Sequence, residues 1–153
     1  MKINNFYSRL ATLGPIGYLP APGTCGSIPG LLFMLGFNNI FFNLYPSVFL
    51  LIISTFFGYL IINNALKYFY SSDPSQIVFD ELVGCLYTFF MIPVSYKAFV
   101  LGFILFRFFD ITKVLGIHKV EKYPGAFGIL ADDIAAGLIS NAILNLLIYF
   151  SWL

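Results

Sequence analysis

The charged residues of this chain crowd into one stretch of an otherwise apolar sequence, and this distribution limits what the chain can fold into. Residues 107–137 contain eight of the fifteen charged residues and the only histidine, His118. Charged residues make up 10% of the chain, against about 25% in a typical soluble domain, and hydrophobic residues make up 59%. Because a soluble protein of this kind would expose large apolar patches, the composition predicts an integral membrane protein.

The apolar stretches predict an all-α fold, an integral membrane bundle of about four to five helices in one domain, residues 1–153. Residues 20–30, rich in glycine and proline, are predicted to form a turn-rich segment before the first helix. The third and fourth helices are short for membrane spans, and tilting, re-entrant entry or packing inside the bundle would each accommodate them. The expected helices cover residues 31–45, 48–67, 76–92, 98–113 and about 131 to the chain end.

The polar segments are predicted to meet on one side of the membrane. Lys2 and Arg9 favour a cytoplasmic N-terminus by the positive-inside rule. Counting crossings from there places residues 20–30, 68–81 and 107–133 on the cytoplasmic side. A single site at the membrane surface requires this convergence.

Two acidic pairs, each followed by a glycine, indicate a metal site. Asp80-Glu81 precedes Gly84 and Asp132-Asp133 precedes Gly137, so that one aspartate of each pair stands four residues before its glycine. Two helices that cross at these glycines would bring four carboxylates together, and a divalent cation is their natural partner. Hard oxygen ligands favour Mg²⁺. The alternative for Asp132-Asp133 is simple capping of a helix that starts near them.

Arg107, Asp110 and Lys113 repeat every three residues, which places them along one side of a helix. Charges at membrane depth are costly and are functional candidates by default. The arginine can bind a phosphate through two hydrogen bonds, and the lysine can act on it as a point charge. The alternative is an Arg–Asp pair that only neutralises itself.

Two further features are weaker. The segment Gly23-Thr-Cys-Gly-Ser27 could form a backbone nest for an anion, with the hydroxyls of Thr24 and Ser27 added, although such a segment is more often a plain turn. His118 lies beside two lysines, which indicates a basic loop near anionic lipid headgroups rather than a catalytic group.

Together these motifs resemble the phosphatidylglycerophosphatase A family of bacterial membrane phosphatases, whose blocks occur here in the same order and spacing. The matching blocks are Pro22-Gly-Thr-Cys-Gly-Ser27, Ile77-Val-Phe-Asp-Glu81 with Val83-Gly84, Phe106-Arg107 with Asp110 and Lys113, and Gly128-Ile-Leu-Ala-Asp-Asp133 with Ala136-Gly137. Two blocks depart from the family: Val114-Leu-Gly-Ile117 stands where Pro-x-Pro-Ile is usual, and Gly125-Ala-Phe-Gly128 stands where Gly-Gly-x-Gly is usual.

The resemblance implies a Mg²⁺-dependent enzyme of the bacterial inner membrane, multi-pass, with its site facing the cytoplasm. Such an enzyme removes the terminal phosphate of phosphatidylglycerophosphate and releases phosphatidylglycerol, by attack of water or through an aspartyl-phosphate. The resemblance places acidic roles on five residues and basic roles on two. The acidic set is Asp80, Glu81, Asp110, Asp132 and Asp133, and the basic set is Arg107 and Lys113.

Among these, we expect a catalytic group of four residues, a metal group and a phosphate group that overlap. The catalytic group is Asp80, Arg107, Asp110 and Lys113; the metal group is Asp80, Glu81, Asp132 and Asp133; the phosphate group is Thr24, Ser27, Arg107 and Lys113. Lipid substrate and membrane are the expected partners. The net charge of +1 is too small to indicate nucleic acid, and no obligate protein partner is expected. The alternatives are a small polytopic transporter that uses intramembrane Asp and Arg residues, and a non-catalytic membrane subunit whose charge pairs fix helix packing.

Overall fold

The computed structural model describes residues 5–93 and 95–152, without the side chains of residues 38 and 41. All regular structure in this part of the chain is helical, which confirms the all-α prediction. The α-helices are α1 (Phe6–Ala11), α2 (Pro22–Phe41), α3 (Leu44–Ala65), α4 (Phe79–Thr88), α5 (Tyr96–Thr112), α6 (Ile117–Val120) and α7 (Ala126–Tyr149), with 3₁₀ turns at Ile16–Tyr18 and Leu66–Tyr68.

Two helical segments, residues 44–68 and 126–149, are long and apolar enough to cross a membrane. The first of them turns large apolar side chains outward: Phe49, Ile52 and Phe56 are 65%, 62% and 58% exposed. A surface of this kind requires an apolar environment, in agreement with a membrane protein. In contrast, the ten residues of α4 extend only about 15 Å, half of a hydrocarbon core of about 30 Å.

Helix α4 lies at the centre of the molecule, with α2 and α7 packed against it and α5 packed against α7. The α4–α7 crossing is close because each helix has a glycine there. A Cβ atom added to Gly137 would overlap the carbonyl oxygen of Gly84. One added to Gly84 would lie 2.8 Å from the carbonyl oxygen of Asp133 and 2.7 Å from the ring of Phe106. The predicted crossing of two helices at these glycines is therefore confirmed.

The prediction that residues 20–30 form a turn-rich segment is wrong, because α2 begins at Pro22. Proline fits the first position of a helix, where its missing N–H is not needed. The glycines that follow serve close packing instead of a turn. Added Cβ atoms on Gly26 and Gly30 would lie 2.5 Å from Val78 Cβ and 2.8 Å from the carbonyl oxygen of Leu82, at the N-terminal half of α4.

Other helix boundaries also differ from the predicted ones, and those of α7 and α4 bear on the site. Helix α7 begins at Ala126 after Gly125, whose φ of +70° suits glycine, so that Asp132 and Asp133 lie in its second turn and do not cap it. Helix α4 covers only Phe79–Thr88 of the predicted range 76–92.

The early end of α4 is stabilised from α7. The side-chain amide of Asn141 donates hydrogen bonds to the carbonyl oxygens of Thr88 and Phe90, at 3.0 and 2.8 Å. Carbonyl groups at a helix end have no partner within the helix, and this amide supplies one.

Candidate active site

One cavity of about 520 Å³ lies where the N-terminal ends of α2 and α4 meet the C-terminal end of α5 and the second turn of α7. The three polar segments that were predicted to converge all contribute to its wall. The lining includes Pro22, Gly23, Asp73, Asp80, Glu81, Arg107, Asp110, Lys113, Lys122, Asp132 and Asp133.

Three carboxylates form an acidic cluster on one wall of the cavity. Asp80, Glu81 and Asp133 each offer an oxygen, and these oxygens lie within 4.8 Å of one another. Asp80 and Asp133 are only 7% and 2% exposed. One oxygen of each residue, Asp80 Oδ1, Glu81 Oε2 and Asp133 Oδ1, is buried without a hydrogen-bond partner among the described residues. Since burying such oxygens without a partner is costly, this acidic cluster suits a cation.

The acidic cluster holds protons more tightly than ordinary carboxyl groups do. Burial, and then the charge of Glu81, raises the pKa of Asp80 well above its usual range. Burial raises the pKa of Glu81 to about 7, although the hydrogen bond with Asp80 and the charge of Arg107 act in the opposite direction. A cation that binds here competes with protons for these carboxylates, so we expect its affinity to increase with pH.

Arg107 and Lys113 form a basic pair in the lining of the same cavity, and Asp110 joins them. Arg107 Nη1 donates a hydrogen bond to Asp110 Oδ2 at 2.5 Å, and Lys113 Nζ donates one to Asp110 Oδ1 at 2.9 Å. Arg107 Nη1 also lies 4.0 Å from Glu81 Oε1, which links the basic pair to the acidic cluster. Both oxygens of Asp110 are therefore engaged in fixing the two cationic groups.

Adjacent aspartates on α7 have different surroundings. Lys113 Nζ donates a hydrogen bond to Asp132 Oδ2, and Asp132 Oδ1 accepts the backbone N–H of Asp133 at 3.0 Å. Of the four predicted metal ligands, three thus form the acidic cluster, while Asp132 pairs with the lysine. Burial lowers the pKa of Lys113, but the charges of Asp133, Asp110 and Asp132 outweigh it and raise this pKa, so that the lysine stays protonated.

The predicted anion nest at residues 23–27 is the first part of α2 and not a loop. Ser27 is buried; its Oγ donates to the carbonyl oxygen of Gly23 at 2.7 Å and accepts from Arg107 Nη1 at 3.5 Å. A Cβ atom added to Gly23 would overlap Glu81 Oε1 and lie 2.9 Å from Arg107 Nη2. This segment therefore leaves room for the Glu81–Arg107 pair and supports it, whereas neither Thr24 nor Ser27 is among the residues that line the cavity.

The mouth of the cavity comes from two loops whose residues were not predicted as site residues. Ser72, Asp73 and Ser75 line one side, and Lys122 and Tyr123 line the other. The polar run of residues 71–75, which closely precedes the first acidic pair, is the sequence signal that could have identified the first loop. His118 is exposed and is not among the lining residues, but it lies in the short helix α6 and not in a loop as predicted.

Comparison with known proteins gives a consistent family. The profile of the family described as phosphatidylglycerophosphatase A matches residues 9–148. A phosphatidylglycerophosphatase A from Haemophilus influenzae is 34% identical over 156 residues, which cover 90% of this chain and 91% of that protein. Another from Escherichia coli is 31% identical over 147 residues, covering 94% and 84%.

A third relative is a candidate phosphatidylinositol-3-phosphatase from Bacteroides thetaiotaomicron. It is 35% identical over 134 residues, which cover 81% of this chain and 82% of that protein. No solved structure matches the chain.

Proposed function

Because the chain belongs to the phosphatidylglycerophosphatase A family, we propose that it hydrolyses the terminal phosphomonoester of phosphatidylglycerophosphate to phosphatidylglycerol and inorganic phosphate. Family membership makes it a phosphatase that acts on lipids in phospholipid synthesis. The assignment to a phosphatase family argues against the two alternatives that the sequence left open, a transporter and a non-catalytic subunit.

The observation that carries the proposal is the presence of opposite charges side by side in one cavity. The acidic cluster of Asp80, Glu81 and Asp133 and the basic pair of Arg107 and Lys113 line the same cavity, and Arg107 links the two groups. A bound phosphate needs cationic donors for its oxygens, and a divalent cation needs carboxylates. The cavity offers cationic donors and carboxylates close together, as a phosphate with a bound divalent cation requires.

The residues present fit Mg²⁺. Asp80, Glu81 and Asp133 would hold it, since each presents a buried carboxylate oxygen without a protein partner and oxygen is the ligand this cation prefers. When bound, the cation supplies a Lewis acid that polarises the phosphoryl group and lowers the pKa of a water molecule.

The basic pair binds the transferred phosphoryl group and stabilises the charge that develops on its oxygens, usually the largest contribution to such catalysis. Asp110 positions this pair: one of its oxygens accepts from Arg107 and the other from Lys113. We therefore assign Asp110 a positioning role. Water is the attacking group in this proposal, because each of the four buried aspartates of the lining is either paired with the basic residues or part of the acidic cluster.

Phosphate release by the purified protein in detergent tests the proposal. The substrates are phosphatidylglycerophosphate, phosphatidate and phosphatidylinositol 3-phosphate, each with Mg²⁺ and with a chelator. We expect release from the first substrate that stops when the chelator is added. Preference for phosphatidylinositol 3-phosphate, or release that persists in chelator, would contradict the proposed substrate or the proposed cation, respectively.

We also propose that the cavity opens on the cytoplasmic side of the inner membrane, as Lys2 and Arg9 indicate. Ser72 lies at the exposed mouth of the cavity and can be replaced by cysteine in a Cys25→Ser background, where the remaining Cys85 is buried. In right-side-out vesicles, Ser72→Cys should resist a membrane-impermeant maleimide until the vesicles are opened. Labelling in sealed vesicles would reverse the proposed orientation.

A further inference from the structure

A second cavity, an apolar groove, lies between α2 and α5 on the outer surface of the molecule. Its volume is about 260 Å³, and only apolar and aromatic side chains line it. The groove residues are Leu31, Leu35, Tyr96, Phe99, Val100, Phe103 and Ile104.

The two helices that border the groove also border the candidate active site. Gly23 of α2 and Arg107 of α5 line the polar cavity. At 1.5 Å per residue, Ile104 lies about 5 Å along α5 from Arg107, and Leu31 lies about 12 Å along α2 from Gly23. The groove therefore begins about one helical turn from the polar cavity and leads away from it along the same pair of helices.

The floor of the groove is fixed by aromatic packing. Phe99, 3% exposed, stacks on Phe89 of the core with ring centroids 4.5 Å apart and an interplanar angle of 3°. Gly102 allows this arrangement, because a Cβ atom added there would lie 2.6 Å from the Phe89 ring. The part of the groove that Phe99 forms is thus fixed by the packed core.

We propose that this groove holds one acyl chain of the lipid substrate while its phosphate occupies the polar cavity; the inference rests on the proposed function. A polar cavity of mixed charge, with an apolar groove about one helical turn away along the same two helices, matches an amphiphile with a phosphate at one end.

The groove acts by orientation. Membrane lipid is as apolar as the groove, so a chain gains little from the hydrophobic effect when it enters. Its contacts instead hold the headgroup at a fixed distance from Arg107 and the acidic cluster, which raises the fraction of substrate in a reactive position. The consequence is that the groove should matter for substrates with acyl chains and not for the isolated headgroup.

Photolabelling tests where the chain lies without depending on catalysis. Phosphatidylglycerophosphate with a diazirine in one acyl chain is mixed with the full chain in micelles that contain a chelator, and is then irradiated. We expect label in residues 96–104, removed by excess unlabelled phosphatidylglycerophosphate but not by phosphatidylcholine. Label that both lipids remove equally, or label spread over α3, would show general lipid contact and overturn the inference.

A matched pair of variants tests the consequence for turnover. Val100→Trp fills the groove, and Val48→Trp adds the same bulk on α3 outside it; the two valines are 42% and 39% exposed. We expect Val100→Trp to lower kcat/KM about tenfold for the diacyl substrate and to leave that for the deacylated headgroup unchanged, with little effect of Val48→Trp. An equal loss on both substrates, or no loss on either, would overturn the inference.

The two tests also separate this inference from the proposed function. Competable label in the groove, together with no phosphate release from wild-type protein, would refute the proposed function and keep a lipid site. Phosphate release without competable label would support the proposed function and refute the groove as a site for the acyl chain.

Discussion

Replacement of Gly137 by alanine tests the geometry on which the site depends. The added methyl group would overlap the carbonyl oxygen of Gly84 and lie 3.0 Å from Tyr87 Cβ. Neither atom can rotate away, because one is backbone and the other is the first atom of its side chain. Helices α4 and α7 must therefore separate by about 1 Å to restore an ordinary van der Waals contact.

This separation acts on the acidic cluster directly. Asp80 and Glu81 lie on α4, one turn before Gly84, and Asp133 lies on α7, one turn before Gly137. Overpacking of this kind costs about 1–3 kcal/mol of stability. A displacement of about 1 Å in catalytic groups can cost about 100-fold in rate, so we expect kcat to fall about 10- to 100-fold.

Phosphate release and thermal unfolding in detergent provide the assay. The control is Gly36→Ala on α2, where an added Cβ atom has nothing within 4 Å. This control should keep its activity and gain up to about 1 kcal/mol, because alanine is the better helix former. If Gly137→Ala kept wild-type rate and wild-type Tm, the close crossing could not be what holds the carboxylates in place.

Three further predictions concern the charged groups that line the cavity. Arg107→Lys should lower kcat/KM about 10- to 100-fold, since one ammonium group cannot replace the charge-assisted bonds of a guanidinium; steady-state kinetics with near-wild-type values would contradict this. Gly23→Ala should lower activity with Tm nearly unchanged, because its methyl group displaces Glu81 and Arg107 from each other; full activity would contradict it. The pKa of Glu81 is raised to about 7 from its ordinary value of 4.5, so the folded protein binds more protons than the unfolded chain between these values. Stability without metal should therefore fall as pH rises from about 5 to about 8, and Mg²⁺ should raise Tm more at the higher pH; a Tm independent of pH and of Mg²⁺ would contradict it.

The convergence of the polar segments on one site could be predicted because an apolar chain has few polar side chains. In a membrane protein these side chains are confined mainly to the surfaces of the bilayer and to the interior of the bundle. The acidic pairs with their glycines also predicted the α4–α7 crossing, since the residue four positions along a helix lies on the same face. The prediction of the crossing depends on helical periodicity, which the sequence shows directly.

The division of work between Asp132 and Asp133 could not be predicted. Adjacent residues on a helix point about 100° apart, so only one of them can face α4. The other is reached by Lys113, whose left-handed backbone, with φ of +50°, ends α5. Neither the helix orientation nor that conformation is visible in the residue types.

The start of α2 was missed for a related reason. Glycine and proline indicate turns in most sequences, but here Pro22 occupies the first position of a helix and Gly23, Gly26 and Gly30 face neighbouring groups at close range. Glycine and proline can form a turn or can allow close packing of a helix, and only the neighbouring residues in the fold show which role they have. The loop of residues 72–75 was missed because its contribution to the cavity depends on the path of the loop in the fold, which the residue types do not show.

Asp133, and not its neighbour Asp132, belongs to the proposed cation site. The dependence of phosphate release on Mg²⁺ concentration, measured for Asp133→Asn and Asp132→Asn, tests this claim most directly. We expect Asp133→Asn to abolish release or to raise the half-saturating Mg²⁺ concentration by about 10- to 100-fold. Asp132→Asn should lower kcat through its loss of charge beside Lys113 while the half-saturating concentration stays within about threefold of wild type. An unchanged Mg²⁺ requirement in Asp133→Asn, or the larger shift in Asp132→Asn, would contradict the proposed site.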